Sequence, residues 1–478
     1  MAFRCVYPVR LGHFVEAVAV DVDVVESRTK TIGPLSLALT ILISGIGLSS
    51  LSGAAADARP TATATTFVSL LAKGDFATAE RYLAPTMQAA APEAKLRQAW
   101  EGLITQLGAF ERQAGAAEQT VGSIQNVVVS CVFARATADL VVSVDQSGKI
   151  VAFHVVNIQQ VTRYTAPSYV HTTSFHEQAV TIGRAPWALP GTLTLPNGHG
   201  PFPAVVLVAG SGPEDRDETI GRDKPFRDIA WGLASKGITV LRYDKRTLVY
   251  GAKVLKLAHF TVQDEFVDDA VAAVHLLAQT PGIDHQHIYV LGHSEGGMVA
   301  PRLARQDGQI AGLIIMAGPT RPLVDVIVSQ YTYLHSRGFV TKAQLAAVKK
   351  QAAQIKALTP SDRDQGGTLL GAPPAYWLDL QNYHPATVAR ELTIPMLVMQ
   401  GARDYQVTLT DFKGWKAALV THPHVTFKRY ANLFHLFIPV PPGSPAGLAT
   451  PDAYQHPGHV APHVILDLIT WLKTSSRQ

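Results

Sequence analysis

The sequence predicts a chain of the α/β class, a mostly parallel eight-stranded sheet with flanking helices, preceded by a small α+β unit. Three observations lead there. From about residue 161 onward, short apolar runs alternate with helical periodicity, the pattern of βαβ units. Before that point, helical spacing over 62–107 gives way to period-two, β-branched runs over 121–156. Finally, the 478 residues are 47% hydrophobic and only 16% charged, which suits a large buried core and excludes a disordered acidic chain or a coiled coil.

At the N-terminus, Lys30 precedes an apolar stretch over 32–51, and Ala54, Ala55 and Ala56 follow it. That is the order of a secretory signal, so residues 1–56 are expected to be an N-terminal extension with a signal peptide, and the product to be exported to the periplasm or beyond. The alternative is an uncleaved membrane anchor, because about 20 apolar residues can span a bilayer; Gly and Ser dilute this run. A cleaved signal leaves no stable membrane anchor. The two cysteines are Cys5, upstream of the cleavage site, and Cys131 in a Val-rich run, so no internal disulfide is expected and Cys131 reads as a small buried hydrophobe. Lys plus Arg number 41 against 37 Asp plus Glu, for a net +4 without a basic block, which argues against a nucleic-acid partner.

Residues 60–160 form the predicted small α+β domain. Phe67, Leu70, Leu71, Phe76 and Ala79 recur at near-helical spacing, with a break at Gly74-Asp75, and a further helix is expected over 94–107. Gln146, Ser147 and Gly148 form a turn between strands at 141–144 and 150–155. Residues 165–478 form the second domain, with strands expected at 175–182, 191–195, 204–208, 238–243, 288–291, 311–316, 396–400 and 425–430. Helices are expected at 226–236, 262–279, after Ser294, and near 464–474. The segment at about 319–393 is far longer than an ordinary connection and has helical periodicity at 324–334 and 342–358, so it is expected to be a cap. Within it, Tyr331, Tyr333, Tyr376 and Trp377 could line a substrate pocket or simply pack as core.

The chemistry centres on Gly292-His293-Ser294-Glu295-Gly296, a G-x-S-x-G motif lying between a strand and a helical stretch that contains Pro301, expected to kink it. Glycines flank the serine because a tight strand-to-helix turn leaves no room for side chains, and the turn exposes the hydroxyl. A serine hydroxyl needs a base. His435, just after the run at 425–430, is the expected base; His456, His459 and His463 compete, whereas His422 and His424 precede that strand. The carboxylate that orients the base is expected to be Asp404, after the strand at 396–400, with Asp411 as an alternative better explained as a helix cap. The two oxyanion donors are expected to be the N–H of Glu295 and that of Ser211, in Gly210-Ser211-Gly212-Pro213, with Gly212 next. No metal or other cofactor is expected, since no Cys or acidic residue completes a ligand set around the C-terminal histidines. The glycines at 210 and 212 lack the third glycine of a dinucleotide fingerprint, Asp215 standing in its place.

At these motifs the chain resembles a known group. Gly210-Ser211-Gly212-Pro213 with Asp215-Arg216-Asp217-Glu218, Leu241-Arg242-Tyr243-Asp244-Lys245-Arg246, Gly292-His293-Ser294-Glu295-Gly296-Gly297 and Asn432-Leu433-Phe434-His435 are similar to motifs of exported bacterial α/β-hydrolase-fold carboxylesterases. Gly74-Asp75-Phe76 and Trp100 with Leu103 and Gly108 resemble the small domain that precedes esterases of the dienelactone-hydrolase-like group. The resemblance implies an α/β-hydrolase fold, a small-molecule ester substrate of short to medium acyl chain, and a triad of Ser294, His435 and Asp404. Serine aminopeptidase-like, acyltransferase or thioesterase chemistry would use the same triad, and a non-catalytic binding protein on this fold is the reading from a different class. The charges at 215–218 and 244–246 are expected to form salt bridges around the rim of the site.

Overall fold

The structure is a computed structural model that describes residues 60–121, 124–160, 164–255, 257 and 259–475. The expected signal at 1–56 lies outside the described residues. The described residues fall into two compact units, one ending at Tyr164 and the other beginning at Thr165.

The first unit comprises helices α1 (Pro60–Lys73), α2 (Phe76–Glu80), α3 (Pro85–Ala90) and α4 (Glu93–Leu107), followed by strands β1 (Phe110–Val121), β2 (Ile124–Phe133), β3 (Ala136–Val144) and β4 (Ile150–Gln160). The strands form an antiparallel sheet in sequence order. Alternate strand residues, among them Val127, Val129, Cys131 and Phe133 of β2, bury against Phe67, Leu71, Leu96 and Trp100 of the helices. Asp75 caps α2 by accepting the Thr78 N–H, which explains the break after Gly74. Burial pushes the Cys131 thiol up to about 12, so at neutral pH it is an inert apolar group. Strand β1 and helix α3 were not expected: β1 is an edge strand of sequence FERQAGAAEQTV, polar and interrupted by bulges, and carries no apolar alternation to announce it.

The second unit is built on one sheet of β5 (Phe175–Ile182), β6 (Leu189–Pro196), β7 (Phe202–Val208), β8 (Thr239–Tyr243), β9 (Ile283–His293), β10 (Ile310–Met316), β11 (Met396–Gly401) and β12 (Val425–Tyr430), in the order β12-β11-β10-β9-β7-β8-β6-β5. The six strands from β12 to β8 are parallel, and β6 and β5 continue antiparallel. All eight expected strands lie in this sheet. Its helices are α5 (Pro225–Ala234), α6 (Arg246–Tyr250), α7 (Ala252–Leu255), α8 (Asp268–Ala278), α9 (Glu295–Gln306), α10 (Leu323–Ser336), α11 (Lys342–Lys356), α12 (Pro374–Gln381), α13 (Pro385–Glu391), α14 (Leu409–Ala418) and α15 (Pro462–Ser475). Both faces of the sheet are covered. Ala204, Val206 and Val208 of β7 pack with α8 and α9, while Val205 and Leu207 pack with α5 and α15.

Helices α10 to α13 occupy the long insertion between β10 and β11. The expected helix over 262–279 is present and begins with a π-helical turn, Gln263–Val267, before α8. Helix α9 runs through Pro301 to Gln306; a proline removes one rung of the ladder, and burial of Met298, Val299, Ala300 and Leu303 holds the helix together around it.

The strand order reverses at β7, whose neighbours are β8 on one side and β9 on the other. At such a point the connections leave the sheet in opposite directions and a crevice opens beyond the carboxyl ends of the strands. The loops after β7 and β9 both start there.

Candidate active site

Ser294 sits between β9 and α9 with φ +53° and ψ −118°, a strained conformation for a residue with a side chain, costing on the order of 1–3 kcal/mol. The turn is held by the Ser294 N–H donating to the Met316 carbonyl at 2.9 Å. Its glycines are required by close approach: a Cβ on Gly292 would lie 2.2 Å from the Gly296 oxygen, and one on Gly296 would lie 2.3 Å from the Val208 oxygen. Glu295 opens α9, so its N–H has no partner within the helix and lies at the positive end of the helix dipole.

After β11 the chain turns at Asp404, and after β12 it delivers His435; both are buried. His435 Nδ1 lies 2.7 Å from Asp404 Oδ2. The same carboxylate accepts the Gln406 and Val407 N–H groups on Oδ1 at 2.8 and 3.1 Å, and the Gln400 amide on Oδ2 at 3.1 Å. These donors fix the carboxylate, and the carboxylate fixes the ring. His435 Nε2 is buried without a hydrogen-bond partner among the described residues, so the nitrogen opposite the carboxylate is open to accept a proton.

The other candidates are engaged elsewhere. Asp411 lies in the first turn of α14, but the cap of that helix is Thr408, which corrects the expectation that Asp411 caps it; the Asp411 carboxylate accepts the Thr320 N–H and pairs with Arg321 at 2.7 Å. His459 Nδ1 stands 3.0 Å from Asp228, the His463 ring packs against Tyr430, and His422 Nε2 meets the Leu392 carbonyl at 2.7 Å. Among the described residues no group of three or more His, Cys, Asp or Glu could hold a metal ion.

Two residues the sequence did not single out join these loops. His293, the residue before Ser294, lies in the last position of β9 and is buried. Its Nδ1 is 2.9 Å from Glu218 Oε1 and its Nε2 is 3.0 Å from the His435 carbonyl oxygen, while the two imidazole centroids are 4.6 Å apart. Glu218 Oε1 also accepts the Gly210 N–H at 2.8 Å. One carboxylate and one imidazole therefore tie the loop after β7, the serine turn and the loop carrying His435. The expected salt bridges form for Arg216 with Asp244, for Asp217 with Arg242, Arg227 and Lys224, and for Arg246 with Asp269, and the Asp217–Arg242 and Arg246–Asp269 pairs are buried instead of lying at an exposed rim. Glu218 pairs inward, with the buried Gly210 N–H and the His293 imidazole. A signal was present in the positive φ of Glu218, +51°, but that is a property of structure and not of sequence.

Gly210 passes directly beside Ser294, where an added Cβ would be 3.0 Å from Ser294 Cβ. The neighbouring Ser211 hydroxyl donates to Glu295 Oε2 at 2.5 Å, so the two residues expected to supply oxyanion donors are joined through their side chains. Glu295 Oε1 accepts the Tyr376 hydroxyl at 2.7 Å, which brings α12 of the insertion to the site. Burial, followed by repulsion from Glu265, pushes the Glu295 carboxyl up, with Lys245 opposing. Trp377 is placed differently: its indole N–H donates to the Leu369 carbonyl at 2.7 Å and its ring joins the core beneath the insertion. Tyr333 donates to the Leu448 and Ala449 carbonyls and stacks on Tyr405.

Residues 218–367 match the family described as serine aminopeptidase, S33, and residues 64–153 match a family described as a protein of unknown function, DUF3887. Over 406 residues the chain is 37% identical to esterase EstD of Thermotoga maritima, spanning 85% of this chain and 93% of that protein. Among solved structures, Est1E from Butyrivibrio proteoclasticus aligns at 14% identity with a TM-score of 0.41, over 63% of this chain and 99% of that one. The acylaminoacyl peptidase of Pyrococcus horikoshii aligns at 14% identity with a TM-score of 0.42, over 68% of this chain and 52% of that one.

Proposed function

This chain belongs to the α/β-hydrolase family that contains esterase EstD and is a carboxylesterase-type hydrolase, and from that premise we propose that it cleaves esters of short to medium acyl chains with Ser294 as nucleophile, His435 as base and Asp404 as its orienting carboxylate. The observation that carries the assignment is the 2.7 Å bond between His435 Nδ1 and Asp404 Oδ2, with Nε2 left open and the ring centroid 4.6 Å from that of His293, the residue before Ser294.

In the proposed cycle, Ser294 Oγ attacks the ester carbonyl as His435 Nε2 takes its proton. Asp404 holds the ring in the tautomer that keeps Nε2 bare and stabilises the imidazolium. The carbonyl oxygen gains charge and is received by the N–H groups of Glu295 and Ser211, the first of them aided by the dipole of α9. His435 returns its proton to the leaving alkoxide, an acyl-Ser294 ester remains, and water activated by the same imidazole releases the acid. No cofactor enters the cycle. The apolar stretch at 32–51 followed by Ala54, Ala55 and Ala56 supports export of the enzyme, which sequencing of the mature N-terminus tests.

The test of the reaction is twofold. A fluorophosphonate probe is expected to label Ser294 in the purified protein, and Ser294→Ala to abolish the labelling. A panel of p-nitrophenyl esters from acetate to decanoate is expected to be turned over in preference to aminoacyl anilides; preferential anilide cleavage would assign the triad to amide chemistry instead.

A further inference from the structure

We propose that Lys245 is the positioning residue of the oxyanion loop, aiming the Ser211 N–H at the substrate by gripping the other side of its peptide. The inference rests on the reading of Ser211 N–H as an oxyanion donor and names a residue that sets its direction.

Lys245 is buried in the loop between β8 and α6. Its ammonium donates to the Gly210 carbonyl at 2.7 Å, pairs with Glu265 Oε1 at 3.0 Å and stands 4.0 Å above the Phe266 ring. Its own N–H donates to the Glu214 carbonyl at 3.0 Å, so backbone and side chain both hold the segment after β7.

The Gly210 carbonyl and the Ser211 N–H belong to one peptide group. In a planar trans peptide the C=O and N–H bonds point in opposite directions, so an anchor on the oxygen determines where the hydrogen points. Gly210 lies against Ser294, and the peptide that leaves it cannot rotate while its oxygen is held by a buried ammonium. The charge adds a second effect. A cation on the carbonyl polarises the peptide and strengthens its N–H as a donor, in the direction needed when negative charge develops on the substrate oxygen.

The remaining atoms of the loop are held in the same manner. Gly210 N–H is taken by Glu218, the Ser211 hydroxyl by Glu295, and the Gly212 carbonyl by the Thr247 hydroxyl at 3.3 Å. Thr247 Oγ1 also lies 3.0 Å from Glu265, and Tyr376 lies against both Glu265 and Glu295. A closed circuit results, running from Gly210 through Lys245, Glu265, Tyr376 and Glu295 to Ser211. Stability alone does not call for this arrangement, since a buried ion pair can often be replaced by apolar side chains at little cost. Holding a peptide dipole in one orientation does require a charge or a strong donor at that point.

The experiment compares the full-length wild type with Lys245→Met, with Lys245→Met/Glu265→Gln, in which neither charge is left unpaired, and with Lys245→Arg, which keeps a cationic donor. Thermal melting establishes folding. For each folded variant, kcat and KM are measured on p-nitrophenyl butyrate. Inhibition is measured with an alkyl trifluoromethyl ketone, whose serine adduct bears an oxyanion, and with the matching carbinol, which forms none. For the methionine variants the expected result is a fall in kcat of about 10²-fold, an equal loss of trifluoromethyl ketone affinity, and KM and carbinol affinity within about threefold of wild type. Lys245→Arg should recover at least about a tenth of the wild-type kcat, and it decides the matter by itself if the methionine variants do not fold. The proposal is overturned if a folded methionine variant keeps its kcat, if ketone and carbinol affinities fall together, or if the arginine variant folds and is as slow as a mis-aimed loop requires. Fluorophosphonate labelling of wild-type Ser294 separates the two levels: an unlabelled serine sinks the triad reading, whereas a labelled serine with an indifferent Lys245 sinks only this inference.

Discussion

His293 and His435 lie with ring centroids 4.6 Å apart, and His293 Nε2 stands 3.0 Å from the carbonyl oxygen of His435. A carbonyl can only accept, so that nitrogen carries a hydrogen. Nδ1 faces Glu218 Oε1, which already accepts the Gly210 N–H and is therefore best placed as a carboxylate that accepts from the ring as well. Burial would pull the His293 imidazole down, but the Glu218 charge and hydrogen bond outweigh it and the net displacement is upward. Both His293 nitrogens thus face acceptors beside the proposed base, which favours the charged form of the ring. Replacing it by Gln removes a group held toward its cationic form, which favours a proton on His435. His293→Gln is expected to lower kcat/KM by about 10- to 100-fold and to move the acid limb of its pH profile to higher pH. An unmoved acid limb would show that His293 acts only as a spacer.

Asp404 and Asp411 are both buried carboxylates on the segment between β11 and β12, and they should fail differently. Asp404→Asn keeps the shape but removes the acceptor that selects the His435 tautomer, so kcat should drop by about 10³- to 10⁴-fold with the protein still folded. Asp411→Asn leaves Arg321 without its buried partner and should cost about 3 kcal/mol of stability while kcat, read well below the melting temperature, changes little. Paired melting curves and kinetics decide; a reversed pattern would move the orienting role to Asp411.

The glycines around Ser294 make a steric prediction. In Gly296→Ala the new Cβ would stand 2.3 Å from the Val208 oxygen and 2.6 Å from the Ala209 oxygen, both backbone atoms at the end of β7. The helix start must retreat, so a loss of at least about 2 kcal/mol and low soluble yield are expected. Gly308→Ala meets nothing within 4 Å and should melt within about a degree of wild type, which makes it the control.

The parts of this protein legible in its sequence are those where a local pattern and a tertiary role coincide. The buried parallel strands read as β-branched runs because both faces of the sheet are covered, and the elbow reads as G-x-S-x-G because backbone at 2.2–2.3 Å forbids any other residue at Gly292 and Gly296. Chain order alone placed Asp404 and His435 at the ends of β11 and β12. Glu218, His293, Lys245 and Glu265 were not legible as a group. They come from four separate segments, and each has an ordinary local explanation: an acidic run, the variable position of a motif, a basic run, and the π-helical turn before an amphipathic helix. Only the fold shows that their side chains converge on Gly210 and its neighbours. Strand β1 stayed hidden for the opposite reason, since an edge strand facing water needs no apolar alternation.

Another buried acid, Asp223, predicts how stability depends on pH. Asp223 is pushed up to about 7, first by burial and then by the neighbouring Asp228, against the opposing Gly458 N–H bond on Oδ1. Its Oδ2 has no hydrogen-bond partner among the described residues. For an acid raised in this way the folded state retains a proton that the unfolded chain has already lost. Stability therefore falls as the pH climbs from about 4 to about 7, and the full penalty stands above that range. Asp223→Asn keeps an oxygen to accept the Gly458 N–H and cannot ionise. It is expected to gain about 1–3 kcal/mol over wild type at pH 8, seen as a rise of several degrees in melting temperature, and to show no gain at pH 4. An equal gain at both pH values would mean that the substitution improves packing, and that the carboxyl of Asp223 loses its proton as readily in the folded protein as in the unfolded chain.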